Sequence, residues 1–127
     1  MQMTTGIRAD QPSQTSLARI ALWLSHHRGM AVELSGHPWR VSLGAPLTAA
    51  RAAICPIALH PEGDGAPVLS GCLRALASQS LTGPAGLVFE GRAPNSLTRD
   101  EADSAAAQML AALAARIASD DLLESVA

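Results

Sequence analysis

The residue types that do most of the chemistry in proteins are few in this chain of 127 residues, and they are irregularly spaced. Cys55 and Cys72 are the only cysteines and form no C-x-x-C pair, so we expect reduced thiols that pack as small buried side chains. A zinc site would have to combine both cysteines with His60 and His37, and this spacing matches no closed zinc-finger pattern. We therefore expect no metal and no other cofactor.

Motifs for nucleophilic and acid–base catalysis are also missing. The stretch SGC at 70–72 lacks the G-x-S-x-G elbow that exposes a nucleophilic serine, and the glycine-rich stretches lack the Lys-Ser/Thr of a phosphate loop. The carboxylates beside turns have no visible partner; they are Glu33, Glu62, Asp64 and Glu90. We therefore predict that the protein is not an enzyme. An enzyme built on a cysteine is the least favoured class, because a reactive thiolate needs an accessible electropositive pocket.

Composition narrows the kinds of partner. All nine basic residues are arginine, against eleven acidic ones, and the net charge of -2 lacks the basic excess that nucleic-acid binding requires. No apolar run reaches the roughly 18 residues of a membrane span, and no signal-peptide pattern opens the sequence, so we expect a cytoplasmic protein without membrane insertion. Aromatic residues make up only 2% of the chain, so its core is thin and a homodimer would gain buried area.

The first half of the sequence predicts a helix followed by strands. A helix is predicted over 14–28, with Ser13 or Thr15 as its cap and Gly29 ending it in a left-handed conformation. Residues 30–34 and 39–43 alternate like two strands of a hairpin around Ser-Gly-His-Pro. A third strand is expected over 52–59, and its Pro56 indicates a sheet edge or a bulge.

The second half predicts two helices separated by one strand. Residues 67–80 place Leu69, Cys72, Leu73 and Leu76 on one helical face, and residues 87–92 alternate like a strand. Thr98 and Glu101 form a capping box that opens the last helix. Its apolar stripe is Ala102, Ala106, Met109, Leu113 and Ile117.

Together these elements predict an α+β fold in which a small antiparallel sheet carries three helices, in the order α-β-β-β-α-β(-β)-α. We expect one domain over 13–119, preceded by a flexible leader over 1–12 and followed by an acidic tail over 120–127.

Three segments, LSGCLRALASQSL, TGPAGLVFEG and RAPNSLTRDEADSAAAQMLAALAARI, resemble in order and apolar spacing the class I chaperones of bacterial type III secretion. The likeness is sharpest over 59–117, and the N-terminal half matches only in element order. That family usually has two strands between its second and third helices, where this sequence shows one. The resemblance implies a homodimer in the bacterial cytoplasm, without a cofactor, that holds the N-terminal region of a secreted effector extended, soluble and competent for export.

Some helices and strands carry more apolar residues than one core-facing side requires, and these extra residues are the candidates for partner contacts. For the effector these are Leu22, Trp23, Val41, Ile57 and Leu59, and for the dimer seam they are Leu69, Leu73 and Leu76. For each, ordinary core packing is the alternative. The competing class of protein is a small α+β inhibitor or immunity-type protein. It would bind a folded partner, whereas a chaperone binds an unfolded N-terminal segment.

Overall fold

The computed structural model describes residues 7–49, 51–61, 66–77, 84–93 and 98–119, which form one antiparallel sheet and two helices. The strands are β1 (Ile7–Ser16), β2 (Gly29–Leu34), β3 (His37–Leu43), β4 (Leu47–Ala49), β5 (Ala52–Pro61), β6 (Leu69–Ala77) and β7 (Pro84–Arg92). The helices are α1 (Leu17–His26) and α2 (Arg99–Ser119). The α+β class and the single antiparallel sheet are confirmed, but two helices replace the three that the sequence predicts.

The strand order is β1-β7-β6-β5-β3-β2, and the short β4 pairs with β5 beyond the end of β3. Both helices lie on one face, where alternate strand residues form the core with the apolar side of each helix. We call the opposite side of the sheet the open face, because no described element packs on it. Strands β1 and β2 end the sheet, and no described strand pairs with the outer edge of either.

Strand β6 corrects the helix predicted over 67–80. Leu69, Leu73, Ala75 and Ala77 are buried, while Cys72 and Leu76 between them are exposed, which is the two-residue alternation of a strand. β6 is hydrogen-bonded to β5 on one side and to β7 on the other, and this non-local pairing overrides the local helix pattern. Residues 78–80 of the predicted helix lie outside the described residues.

The N-terminal segment also differs from its prediction. Residues 7–12, expected in a flexible leader, belong to β1, which pairs with β7 near the other end of the chain. Helix α1 therefore starts later than predicted, and Ser16 caps it by accepting a hydrogen bond from the Arg19 N–H at 3.3 Å. The helix ends at His26, and Gly29 begins β2 instead of forming a left-handed cap.

The hairpin formed by β2 and β3 is confirmed. Its turn is Ser35-Gly36, and both residues have a positive φ, as a two-residue hairpin turn requires. The edge position predicted for Pro56 is wrong, because β5 has neighbours on both sides. The Pro56 carbonyl accepts a hydrogen bond from the Gly44 N–H at 2.9 Å, so its nitrogen faces the break between β3 and β4, where no ladder bond is lost.

Helix α2 follows its prediction. The Thr98 N–H donates to Glu101 Oε1 at 3.0 Å and the Glu101 N–H donates to Thr98 Oγ1 at 3.2 Å, which completes the capping box. All five residues of the predicted stripe are buried, and Leu110 joins them. The predicted acidic tail at 120–127 lies outside the described residues.

Candidate binding surface

The residues predicted to contact an effector lie mainly in the core. Trp23, Val41, Ile57 and Leu59 are buried between the sheet and the helices, and Leu22 is partly buried. Trp23 is inaccessible because α1 turns it toward the sheet, and the other three occupy inward positions of β3 and β5. These four buried side chains are not accessible to another molecule in the folded domain.

The predicted dimer seam is divided between the two faces of the sheet. Leu69 and Leu73 are buried core residues, because they sit at inward positions of β6. Leu76 is 44% exposed and lies on the open face. Of the three, only Leu76 is available to a second molecule.

The two cysteines lie in different environments, one in the core and one on the surface. Cys55 is buried, and its thiol donates to the Gly44 carbonyl oxygen at 3.2 Å; burial raises the pKa of this thiol, which keeps it protonated and unreactive. Cys72 is exposed on the open face, contrary to the prediction that both are buried. Within the described ranges no group of three His, Cys, Asp or Glu side chains is placed to hold a metal ion.

A serine–histidine pair lies on the open face. The sequence does not predict it, because the two residues meet only through the register of β3 and β5. Ser42 Oγ and His60 Nε2 share a hydrogen bond of 3.0 Å between β3 and β5. Such a pair can activate a serine, but acyl transfer also needs N–H donors that are free to hold an oxyanion. The Leu43 N–H beside this serine already donates to the Arg28 carbonyl at 2.8 Å. We therefore interpret the pair as a cross-strand contact.

Strand β2 offers main-chain groups to a partner. In an antiparallel pair, every second residue of a strand is hydrogen-bonded to its partner strand. The Leu43 N–H donates to the Arg28 carbonyl, so the hydrogen-bonded residues of β2 are the ones at even steps from Arg28, namely Met30, Val32 and Leu34. The N–H and C=O groups of Gly29, Ala31 and Glu33 therefore point outward, and no described residue hydrogen-bonds to them. All three residues are exposed.

A groove of about 410 Å³ lies on the helix side of the β2–β3 hairpin, between the hairpin end and the first half of α2. Leu34, Trp39 and Ala105 give it apolar walls, and Asp100 and Glu101 add two carboxylates. The hairpin turn is held to α2 by a hydrogen bond of 3.1 Å from Ser35 Oγ to Gln108 Oε1, which fixes the distance across the groove.

A second groove, of about 450 Å³, lies near the start of β2. Residues of both faces line it. Gly29, Ala31, Arg40 and Ser42 are at open-face positions, and Arg28, Met30 and Val41 are at the alternate positions. Both arginines are exposed, and among the described residues neither is in an ion pair. The two sides of the β2 edge therefore differ in charge: negative beside α2 and positive near the start of the strand.

The open face also carries an exposed apolar strip. Leu47 is 73% exposed, Ile54 36% and Leu76 44%, and these are the large apolar side chains most exposed in the described part of the chain. Leu47 pairs with Ile54 across β4 and β5, while Leu76 pairs with Ala52 two residues along β5. The strip borders Arg74, which forms a 3.5 Å ion pair with Glu90.

Comparisons with family models, with curated proteins and with solved structures find no match to this chain. No helix in the described residues is long and apolar enough to cross a membrane. The segment LSGCLRALASQSL, which carries much of the resemblance to the secretion chaperones, is a strand over Leu69–Ala77.

Proposed function

We propose that this protein is a binding protein of the chaperone type, which holds an extended segment of another polypeptide along the outer edge of β2. The observation that carries the proposal is the row of outward N–H and C=O groups at Gly29, Ala31 and Glu33, flanked by a groove on each side. The client that fits the sequence resemblance is the N-terminal region of a secreted effector, bound in the bacterial cytoplasm. The alternative is an inhibitor or immunity-type protein that binds a folded partner.

The physical basis is strand addition. An extended segment placed beside β2 pairs its main chain with the outward groups, which gives affinity that does not depend on sequence, and its alternate side chains reach the two grooves. Strand β2 contains no proline and no lysine, and its only charged residue is Glu33, so it lacks most of the features that block edge pairing. No chemical step is needed for this function.

The same proposal includes a homodimer that forms through the open face. Leu47, Ile54 and Leu76 expose apolar area that a second copy would cover. Arg74 and Glu90 stand beside this strip with opposite charges, and a surface carrying both signs can complement itself across a two-fold axis. Because the strip and the β2 edge are separate surfaces, a dimer leaves the edge free for a client.

The test is co-expression of the tagged chain with the N-terminal regions of the proteins encoded beside its gene. We expect at least one such region to co-purify with the wild-type chain and to be lost with Ala31→Pro, which removes an outward N–H but no bond to β3. Ala31→Val keeps that N–H and is the matched control. The proposal fails if co-purification survives in a folded Ala31→Pro variant, or if only full-length folded partners bind.

A further inference from the structure

The two grooves beside β2 predict which side chains the client segment carries. In the groove on the helix side, the half-buried Trp39 forms an apolar wall, and the exposed Asp100 and Glu101 give it negative charge. An arginine fits this combination, because its planar guanidinium stacks on an aromatic ring and also pairs with carboxylates. On the open side of the second groove, Arg40 is the charged residue, and a client carboxylate would complement it.

Strand geometry sets the spacing of these two side chains. Residues directly opposite each other in paired strands point to the same face, and consecutive residues point to opposite faces. A client residue opposite Leu34 therefore points to the helix side, next to the first groove, and one opposite Ala31 points to the open face, next to the second. These two client positions are three residues apart.

We propose that the client segment carries an arginine that enters the groove beside Trp39 and, three residues away, an aspartate or glutamate that lies against Arg40. This inference rests on the proposed function, since it assumes that a segment pairs with β2. In an antiparallel complex the arginine comes first in the client sequence, and in a parallel complex the acidic residue comes first.

Synthetic peptides test the pattern directly. The probe is a fluorescent peptide of sequence Thr-Arg-Thr-Val-Glu-Val-Thr. Its control is the same-face peptide Thr-Arg-Val-Glu-Thr-Val-Thr, which has the same composition but places the two charges two residues apart, on one face of the strand. We expect the probe or its reversed sequence to bind the full chain at least about tenfold more tightly than the same-face peptide at low salt, with the difference shrinking as salt screens the charges. The reversed peptide, Thr-Val-Glu-Val-Thr-Arg-Thr, distinguishes the parallel from the antiparallel arrangement.

Charge reversal in the protein completes the test. Asp100→Arg should weaken the first peptide and strengthen one in which glutamate replaces its arginine, whereas Asp103→Arg, on the same helix but not lining the groove, should have the smaller effect on both. If the same-face peptide binds as tightly as the better of the other two, and all binding is lost in Ala31→Pro, the charge pattern is overturned and the edge function stands. Binding of any peptide that is unaffected by Ala31→Pro, or no binding of any of the three peptides, would overturn both.

Discussion

Cys55 and Cys72 lie on adjacent strands of the same sheet but on opposite faces, with Cys55 in the core and Cys72 exposed. Cys55 pairs with Leu73 and Cys72 pairs with Pro56, so the two thiols are one register step apart and point in opposite directions. A disulfide between them would require one strand to rotate by half a turn. The arrangement therefore keeps the cysteines chemically independent.

This difference predicts the reactivity of the two thiols. In the native protein we expect one thiol to react rapidly with a disulfide reagent at mildly alkaline pH and the second to react only as the chain unfolds, because burial both shields Cys55 and raises its pKa. Cys72→Ser should abolish the fast phase and Cys55→Ser should keep it. Two fast phases of equal rate in the native protein would contradict this account of the sheet faces.

Because Leu59 is buried, we expect its truncation to destabilise the fold and not to remove a contact with a partner. Leu59→Ala should lower the free energy of unfolding by about 3 kcal/mol, as large-to-small changes at fully buried leucines do. Chemical denaturation measures this loss. A variant with unchanged stability and lost partner binding would instead mean that Leu59 is a contact residue, as the sequence first indicated.

The capping box at the start of α2 predicts a pH-dependent contribution to stability. The hydrogen bond from the Thr98 N–H, with a second from its side chain, lowers the pKa of Glu101. A carboxylate whose pKa is lower in the folded state adds stability above its unfolded pKa and loses it as the pH falls through the folded pKa. The melting temperature of the wild type should therefore be higher than that of Glu101→Gln at neutral pH, and the difference between the two should disappear in acid.

A substitution of Thr98, the other residue of the capping box, tests the box without changing its charge. Thr98→Ala should cost about 1 kcal/mol, the usual loss when a capping hydroxyl is removed. Equal melting temperatures of wild type and Glu101→Gln at every pH would show that the ionised carboxylate does not support the helix.

The exposed strip on the open face predicts the residues that control self-association. Leu76→Asp should shift sedimentation equilibrium toward the monomer mass, because it places a charge in the apolar centre of the proposed dimer contact. Ser70→Asp is the control, since it lies on the same face of β6, roughly 20 Å from Leu76 at about 3.3 Å per residue. A wild-type chain that stays monomeric on concentration would contradict the dimer.

Local patterns in the sequence were sufficient to predict the hairpin, β7 and α2. The hairpin follows from strict alternation around Ser35-Gly36, and α2 follows from a capping box before a stripe with helical spacing. Each of these signals lies within one short segment. They predicted the α+β class and the antiparallel sheet.

Strands β1 and β6 were missed for physical reasons that can be identified. In β6 the inward positions include the small residues Gly71, Ala75 and Ala77, while the large apolar Leu76 points outward. The large apolar residues therefore do not alternate with a period of two, and their spacing matches a helix instead. β1 pairs with β7, whose residues lie 68 to 84 positions away in the register, and no local pattern encodes such a contact. The proposed binding edge was missed for the same reason, because the outer position of β2 is defined by the strand order.

Amide hydrogen exchange at Ala31 and Glu33 tests the central claim most directly. In the free protein these outward amides should exchange rapidly, while those of Met30 and Val32, which bond to β3, are protected. Binding of a co-purified client segment should slow exchange at Ala31 and Glu33 by about a hundredfold or more, in proportion to the occupancy of the edge. Unchanged exchange at both amides in a saturated complex would contradict the account and place the client on another surface.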